Sequence, residues 1–274
     1  MSDIRRIAHI CADRGIDITG TKGAAVHLRS LATAFSDRAG VTVHVARLPA
    51  LATDGLPFEV VPFRGDDELM SSILASDPDV VYERYSLGAA AGLRAAQHLG
   101  VPFVLEMNAP LVVEATAYRP DTVSDEALAV EEVLLAESDL VVTVSTVLRD
   151  HVQTRRGDRP TVVVPNGCEP ALFERSPDRR TTPTIGFLGH PKPWHGAGRL
   201  LDILAGVRAR GIDARLSIVG GGDGASNLAA TAGERGLDGF VDISGPVDHA
   251  TAAALIGESW VVVAPYEPND FFYF

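Results

Sequence analysis

The chain has 274 residues, 46% of them apolar, with 36 acidic side chains against 24 Lys and Arg, a formal net charge of −12. That length accommodates two domains with cores of their own, and the acidic balance argues against a nucleic-acid or anionic-membrane binder, which needs clustered Lys and Arg. Two cysteines, Cys11 and Cys168, are too few for a disulfide framework or a zinc site. No run approaches the ~18 apolar residues of a membrane span, and with no apolar signal core after Met1 a cytoplasmic location is expected.

In chain order, short apolar runs alternate with stretches of helical spacing. A strand is expected at 4–12, then a loop ending in Gly20-Thr21-Lys22-Gly23, a helix at 24–35 and a strand at 41–45. Further strands fall at 58–61, 80–82, 101–105, 140–144 and 161–164, with helices at 66–75, 87–99 and 127–136 and Ser145 as the N-cap of another. About seven strands alternating with helices imply a parallel sheet covered on both faces, a complete doubly wound domain. The basic run Arg149, Arg155, Arg156 and Arg159 reads as a solvated helix end.

The polar, proline-bearing stretch 176–183 is the expected linker, dividing a first domain (1–175) from a second (184–274). The second opens with a strand at 184–188, a break at Gly189, a loop carrying His190, Lys192, Trp194 and His195, and a helix at 199–209. A strand at 215–219, a loop Gly220–Gly224, a helix at 227–235, a strand at 240–243, a helix at 251–256 and a strand at 260–264 follow. The final residues include Phe271, Phe272, Tyr273 and Phe274. Four unpacked aromatics expose roughly 600–1,000 Å², more than the roughly 300–600 Å² apolar patch of a typical monomer. The expectation is therefore a chain cut within its second domain.

Several places in this pattern suit a ligand. Strand, glycine turn, cationic loop and helix start, as in 184–199, bring backbone N–H groups and a lysine around one small volume, which fits a phosphate. The Gly20–Gly23 loop occupies the position where a doubly wound fold binds ligands, with His27 and Arg29 on the next helix, but it lacks the third glycine of a dinucleotide fingerprint. Gly220–Gly224 fails that spacing too, and reads equally as a turn or a nucleotide-contacting loop. Glu106 and Asn108 end a buried strand and either line a site or cap the next helix. Glu83, Arg84 and Tyr85 end the preceding strand and form either a second wall of the same cleft or an ion-paired cluster in which Arg84 meets Glu83 or Glu106. No nucleophile elbow, P-loop, zinc spacing or glycosidase-type carboxylate pair is present.

With these motifs placed, the chain resembles the family-four glycosyltransferases, retaining and metal-independent enzymes with two Rossmann-like domains of the GT-B architecture. G-T-K-G-A-A-V-H-L-R-S-L-A, V-Y-E-R-Y-S-L, V-P-F-V-L-E-M-N-A-P-L, V-V-T-V-S and V-V-P-N-G-C-E resemble landmarks of the first domain in order. G-F-L-G-H-P-K-P-W-H-G, L-S-I-V-G-G-G and V-D-I-S-G-P-V resemble those of the second. The resemblance implies transfer of a sugar from a nucleoside-diphosphate sugar, a UDP-sugar, to an acceptor hydroxyl with retention, without metal or other cofactor. The acceptor class (saccharide, lipid-linked sugar or small natural product) stays open. It implies donor contacts from Gly20, Lys22, Gly23, His190, His195, Gly220, Gly221 and Val247. His27, Glu83, Arg84, Tyr85 and Asn166 would form the acceptor side, and Asn108, Glu106 and Lys192 the catalytic set.

Three departures from the family pattern matter. His190 and His195 stand where many members carry arginine and lysine, leaving Lys192 for the diphosphate; any charge on His195 would make donor binding weaken as pH rises. Asn108 stands where many carry histidine. An amide orients a hydroxyl but is no base at neutral pH, so the leaving phosphate oxygen would accept the proton, with the protein supplying positioning and electrostatics. The family's downstream glutamate pair falls beyond Phe274, which implies little transferase activity for this chain. A nucleotide-sugar epimerase and a non-catalytic nucleotide-binding module are the alternatives; an NAD oxidoreductase is disfavoured by both glycine loops.

Overall fold

A computed structural model describes residues 4–173, 179–192 and 195–266. The chain divides into two compact units, one ending at Asn166 and the other starting at Gly167. Of the expected linker, residues 176–178 lie outside the described residues, as do Trp194 and the C-terminal aromatics Phe271 to Phe274.

The first unit runs β1 (Arg6–Cys11), α1 (Gly23–Ser36), β2 (Gly40–Val45), β3 (Glu59–Pro62), α2 (Asp66–Ser76), β4 (Val80–Arg84), α3 (Ala91–Leu99), β5 (Phe103–Met107), α4 (Leu111–Tyr118), α5 (Asp125–Glu137), β6 (Leu140–Thr143), α6 (Thr146–Arg156) and β7 (Thr161–Val163). The seven strands are parallel, in the order β3-β2-β1-β4-β5-β6-β7. The order reverses direction between β1 and β4, the switch point where loops from the carboxyl ends splay apart and leave room for a ligand.

Strand alternation sorts side chains between two cores. Cys11, Val41, Val43 and Val45 pack under Ala25, Leu28 and Ala32 of α1. Ala8, Ile10, Val81, Phe103 and Leu105 pack on the opposite face with residues of α2, α3, α5 and α6. Polar caps hold the helix starts: Ser124 accepts from the Ala127 N–H at 3.1 Å and Ser145 from that of Leu148 at 3.2 Å. Helix α4 has no counterpart in the sequence reading; it follows Pro110, buries only Ala115 and carries no clear apolar stripe.

Of the basic run at the end of α6, Arg159 is exposed as expected, but Arg155 and Arg156 are not solvated. Arg155 pairs with Glu131 and Glu132 of α5. Arg156 is 5% exposed and donates to the carbonyls of Leu135, Ser138 and Pro160. Its guanidinium thus ties the end of α5 to the approach to β7, because a planar fork with five donors can satisfy several carbonyls at once.

The second unit runs β8 (Thr184–Leu188), α7 (Ala197–Ala209), β9 (Arg215–Val219), α8 (Asp223–Glu234), β10 (Val241–Ile243), α9 (His249–Gly257) and β11 (Val261–Val262). Its strands pair in parallel in the order β10-β9-β8-β11, over a core of Ile185, Phe187, Leu200, Leu204, Leu216 and Ile218. The turn at 170–173 packs with this unit through Phe173, whose ring meets that of His249 edge-on. Arg180 does likewise, reaching both Asp242 and Glu258. Helix α8 begins at Asp223, four residues before the expected 227, since its opening glycine reads as loop in sequence but lies in the first turn. Among the described residues no helix is long and apolar enough to cross a membrane.

Replacing Arg156 by alanine takes the donor from the carbonyls of Leu135 and Ser138, while Pro160 keeps the Val141 N–H. An unmet buried acceptor costs about 1–3 kcal/mol, so a loss of at least about 2 kcal/mol is expected in urea unfolding. Arg159→Ala, on the exposed side of the same turn, should change stability by no more than about 0.5 kcal/mol.

Candidate functional site

In the first unit a row of polar side chains lies beneath α1 at the carboxyl ends of the central strands. The register pairs His9 with Tyr82, and Cys11 with Arg84, which in turn pairs with Glu106. Residues aligned across parallel strands share a face, so His9, Tyr82, Arg84 and Glu106 lie together on the side that α1 covers. From α1, His27 closes the group, with Nε2 at 2.6 Å from Glu106 Oε1. Glu106 is 3% exposed. Burial opposes its ionisation, but the hydrogen bond from His27, and positive charge nearby, outweigh that and hold the carboxyl below its usual range. His9, fully buried against the rings of Phe35 and Tyr82, has its pKa lowered by burial to about 4 and is neutral at pH 7. Burial, and then the charge of Glu106, push the Tyr82 phenol well above its ordinary range, so it keeps its proton.

Neither alternative for Glu106 and Asn108 as helix caps survives, because α4 starts after Pro110 with no side-chain cap. Asn108 is half-buried just past β5, its Nδ2 buried without a partner. The ion-pair alternatives fail as well: Arg84 lies within ion-pair distance of neither Glu83 nor Glu106, and its Nη1 is buried unpartnered. The ion pair that Glu106 does form, with His27, joins residues 79 apart in sequence.

Glu83 and Tyr85 do not belong to this face. Alternation along β4 turns them to the opposite side from Arg84, so the three do not form one wall. Tyr85 is buried in the main core and donates its hydroxyl to Glu131. Glu83, 1% exposed, has both carboxylate oxygens unpartnered and lies so close to α3 that a Cβ on Gly92 would come within 2.2 Å of Oε2. Burial, and secondarily the charge of Asp66, push its pKa up to about 8. An acceptor has no access to either side chain.

The loop before α1 is built by its own polar contacts. Asp17 accepts from the N–H and hydroxyl of Thr19, and Arg29 donates to the carbonyls of Ile18 and Gly20. Lys22 precedes the helix and bends back to the Gly15 carbonyl at 3.2 Å. The first N–H groups of α1 have no side-chain cap and no acidic neighbour in the first turn. A Cβ at Gly23 would meet nothing within 4 Å, so protein packing does not require that glycine.

In the second unit the glycines have a different reason. A Cβ on Gly220 would lie 2.1 Å from the Gly189 carbonyl oxygen, on Gly222 2.1 Å from His190 Nε2, and on Gly224 1.9 Å from the Pro191 carbonyl oxygen. Gly221 is closed off by Pro246 at 2.8 Å. These residues let the β8–α7 and β9–α8 loops interlock, so close protein packing demands the loop's glycines. Val247 is half-buried against Val219, Ala252 and Ile256, and Asn166 is exposed where the two units divide.

Beside the interlocked loops is a cavity of about 630 Å³, lined by His190, Lys192, Gly198, Asp223, Asn227 and Thr231 among others. His190 and Lys192 are exposed there. His195 turns inward instead, with Nδ1 2.9 Å from the His190 carbonyl and 3.2 Å from the Lys192 N–H, and its ring against those of Phe187 and Tyr266. Burial, then the charge of Lys192, lower its pKa against the opposing carbonyl, which disfavours the charge that His195 could have added to the loop. Among the described residues no group of three or more His, Cys, Asp or Glu could hold a metal ion.

Comparison with solved structures defines the class of fold. The chain aligns over 98% of its length, with TM-score 0.77 and 17% identity, to 77% of a sucrose-phosphate synthase from Thermosynechococcus elongatus. It aligns over 93%, with TM-score 0.72 and 19% identity, to 73% of HepE from Anabaena, solved in complex with UDP and glucose. WaaG, a glycosyltransferase involved in lipopolysaccharide biosynthesis, aligns with TM-score 0.72 and 12% identity over 96% of this chain and 76% of its own. The fold is of the GT-B glycosyltransferase type. The sequence profile of the glycosyl transferase 4-like domain matches residues 3–167, more than half of the chain, and the protein belongs to that family. Comparison with curated proteins gives no significant match.

Glu83 gives this protein a pH signature. Below about pH 4.5, the usual carboxyl value, both folded and unfolded states hold its proton. Between there and about 8 only the unfolded state releases it, so folding stability falls as pH rises, and above 8 the loss is complete. Each tenfold difference in acid strength between the two states is worth about 1.36 kcal/mol, which makes the whole change on the order of 5 kcal/mol. Chemical unfolding of Glu83→Gln across this range should show a flatter pH dependence than the wild type.

Proposed function

We propose that this glycosyltransferase moves a hexose from a UDP-sugar to an acceptor hydroxyl with retention of configuration and without a metal. The observation that carries the reading is the cavity beside Lys192 at the start of α7. Helix α7 begins after Gly196 with no side-chain cap and no acidic residue in its first turn, so its N–H groups and Lys192 favour an anion there. The start of α8 carries Asp223, which repels phosphate and accepts hydrogen bonds from ribose hydroxyls instead. That asymmetry favours a diphosphate at α7 and a nucleoside on the α8 side. HepE, of similar fold, is described as bound to UDP and glucose.

Within the first unit, the uncapped start of α1 at Gly23, whose open side leaves room for close approach, also suits a phosphate. The leaving phosphate oxygen takes the acceptor proton, so the protein supplies position and charge stabilisation. The acceptor is a saccharide, free or lipid-linked, or another polyhydroxylated compound, and the reaction belongs to a cytoplasmic setting where nucleotide sugars are found.

Thermal-shift titrations with UDP-glucose, UDP-galactose, GDP-mannose and NAD test the donor. A saturable rise in Tm with a UDP-sugar is expected, and none with NAD; no shift with any nucleotide sugar would overturn the reading. Lys192→Ala should weaken UDP binding roughly ten- to hundredfold, the worth of a charge-assisted contact. Gly23→Ala should raise stability by up to about 1 kcal/mol while weakening the binding of inorganic phosphate, a combination that a purely structural glycine would not give. An isomerised sugar nucleotide formed without acceptor would point to an epimerase.

A further inference from the structure

The chain passes from the first unit to the second between Asn166 and Gly167. After β7 the backbone leaves the sheet, and residues 164–169 form neither helix nor strand. Asn166, Gly167 and Cys168 are all exposed. Among the described residues the Gly167 N–H donates to no backbone carbonyl, and the Asn166 amide has no hydrogen-bond partner. A Cβ at Gly167 would meet nothing within 4 Å, and its φ is not left-handed, so neither packing nor backbone conformation calls for glycine there.

An amide side chain followed by glycine carries a chemistry of its own. The next backbone nitrogen can reach the amide carbon by closing a five-membered ring, and glycine puts no Cβ in its path. In a folded chain closure is prevented by an N–H committed to a hydrogen bond, or by an amide held in place by packing. Neither restraint is present at Asn166. The other described asparagines each have one. Asn227 lies inside α8, where the helical ladder takes up the N–H groups, and the bulkier Leu228 follows it. Asn108 has its Nδ2 buried and precedes Ala109. Asn269 lies outside the described residues.

We propose that Asn166-Gly167 is a self-modification site, where the chain closes a succinimide and reopens as aspartate or isoaspartate at the boundary of its two units. The Gly167 nitrogen gives its proton to hydroxide and attacks Asn166 Cγ. The Cγ–Nδ2 bond breaks, and the departing nitrogen takes up a proton and leaves as ammonia. Water then opens the ring at one of its two carbonyls. Cleavage between Cγ and the Gly167 nitrogen gives aspartate. Cleavage between the Asn166 main-chain carbonyl carbon and that nitrogen gives isoaspartate, which routes the backbone through Cγ and lengthens it by one carbon. Nothing is oxidised or reduced. Both products put a carboxylate where the chain had a neutral amide, and isoaspartate also alters the length of the connection between the units. This chemistry is independent of the sugar-transfer reading.

The test holds the full folded chain at pH 8 beside a synthetic peptide of residues 160–172 and follows both by peptide-mapping mass spectrometry. Isoaspartate is read with an isoaspartyl methyltransferase and labelled S-adenosylmethionine. The segment bearing Asn166 should gain the mass of an amide-to-acid change at about the peptide's rate and take up label, while those bearing Asn108 and Asn227 stay unchanged. Gly167→Ala, which the open space accommodates, should slow conversion severalfold, and Asn166→Gln, which needs a six-membered ring, should abolish the label at this segment. Should either variant not fold, the wild type and the peptide decide alone. An Asn166 that stays intact, or converts more than about tenfold slower than the peptide (a barrier higher by about 1.4 kcal/mol), overturns the proposal. So does undiminished conversion in a folded Gly167→Ala. Conversion of Asn108 and Asn227 alongside Asn166 would assign the chemistry to unfolded chains and overturn it as well.

Discussion

The contact between His27 and Glu106 is the constraint around which the first unit's polar cluster is arranged. A carboxylate at the end of a strand buried on both faces loses most of its hydration, and an ion so placed persists only with a charge or donor against it. Helix α1 supplies that donor from across the sheet. The contact adds to the packing of Ala25, Leu28 and Ala32 against β1 and β2, which seats α1 on the sheet. Glu83, one strand away and facing the other core, has no such partner, and burial drives its pKa in the opposite direction. Two carboxylates of similar burial therefore differ in charge through neighbours alone.

Much of the architecture was readable from residue pattern. Runs such as I-A-H-I-C and V-P-F-V-L bounded by turn residues gave the strands, and Ser145 gave a helix start that the structure keeps. What pattern did not show was the third dimension of each strand end. Glu83, Arg84 and Tyr85 are consecutive and look like one polar wall, yet a period of two puts the first and last into the core. His9 and Tyr82 were missed because each stands inside an apolar run. The register that aligns them with Arg84 and Glu106 is a property of pairing between strands far apart in sequence. A histidine inside I-A-H-I-C was the available signal, since a titratable ring in a doubly covered strand needs a reason.

Glycines illustrate the same gap between residue type and cause. Gly23 and Gly220 both follow a strand and precede a helix, and from sequence they are equivalent. One has open space where a side chain would go, and the other has a carbonyl oxygen. Glycine at a βα turn therefore signals close approach without saying what approaches. In the second unit the approaching group is another loop of the protein, and the interlock holds His190 and Pro191 over the start of α8.

That interlock bears on how charge is distributed in the loop before α7. His195 sits between backbone groups and two aromatic rings, with Lys192 as a like-signed neighbour, so protonating it is opposed by both burial and repulsion. Its Nδ1 lies between the Lys192 N–H at 3.2 Å and the His190 carbonyl at 2.9 Å, a donor and an acceptor that compete for one nitrogen and tie the loop to the ring. Lys192, exposed on the same loop, is the side chain that offers positive charge to the cavity.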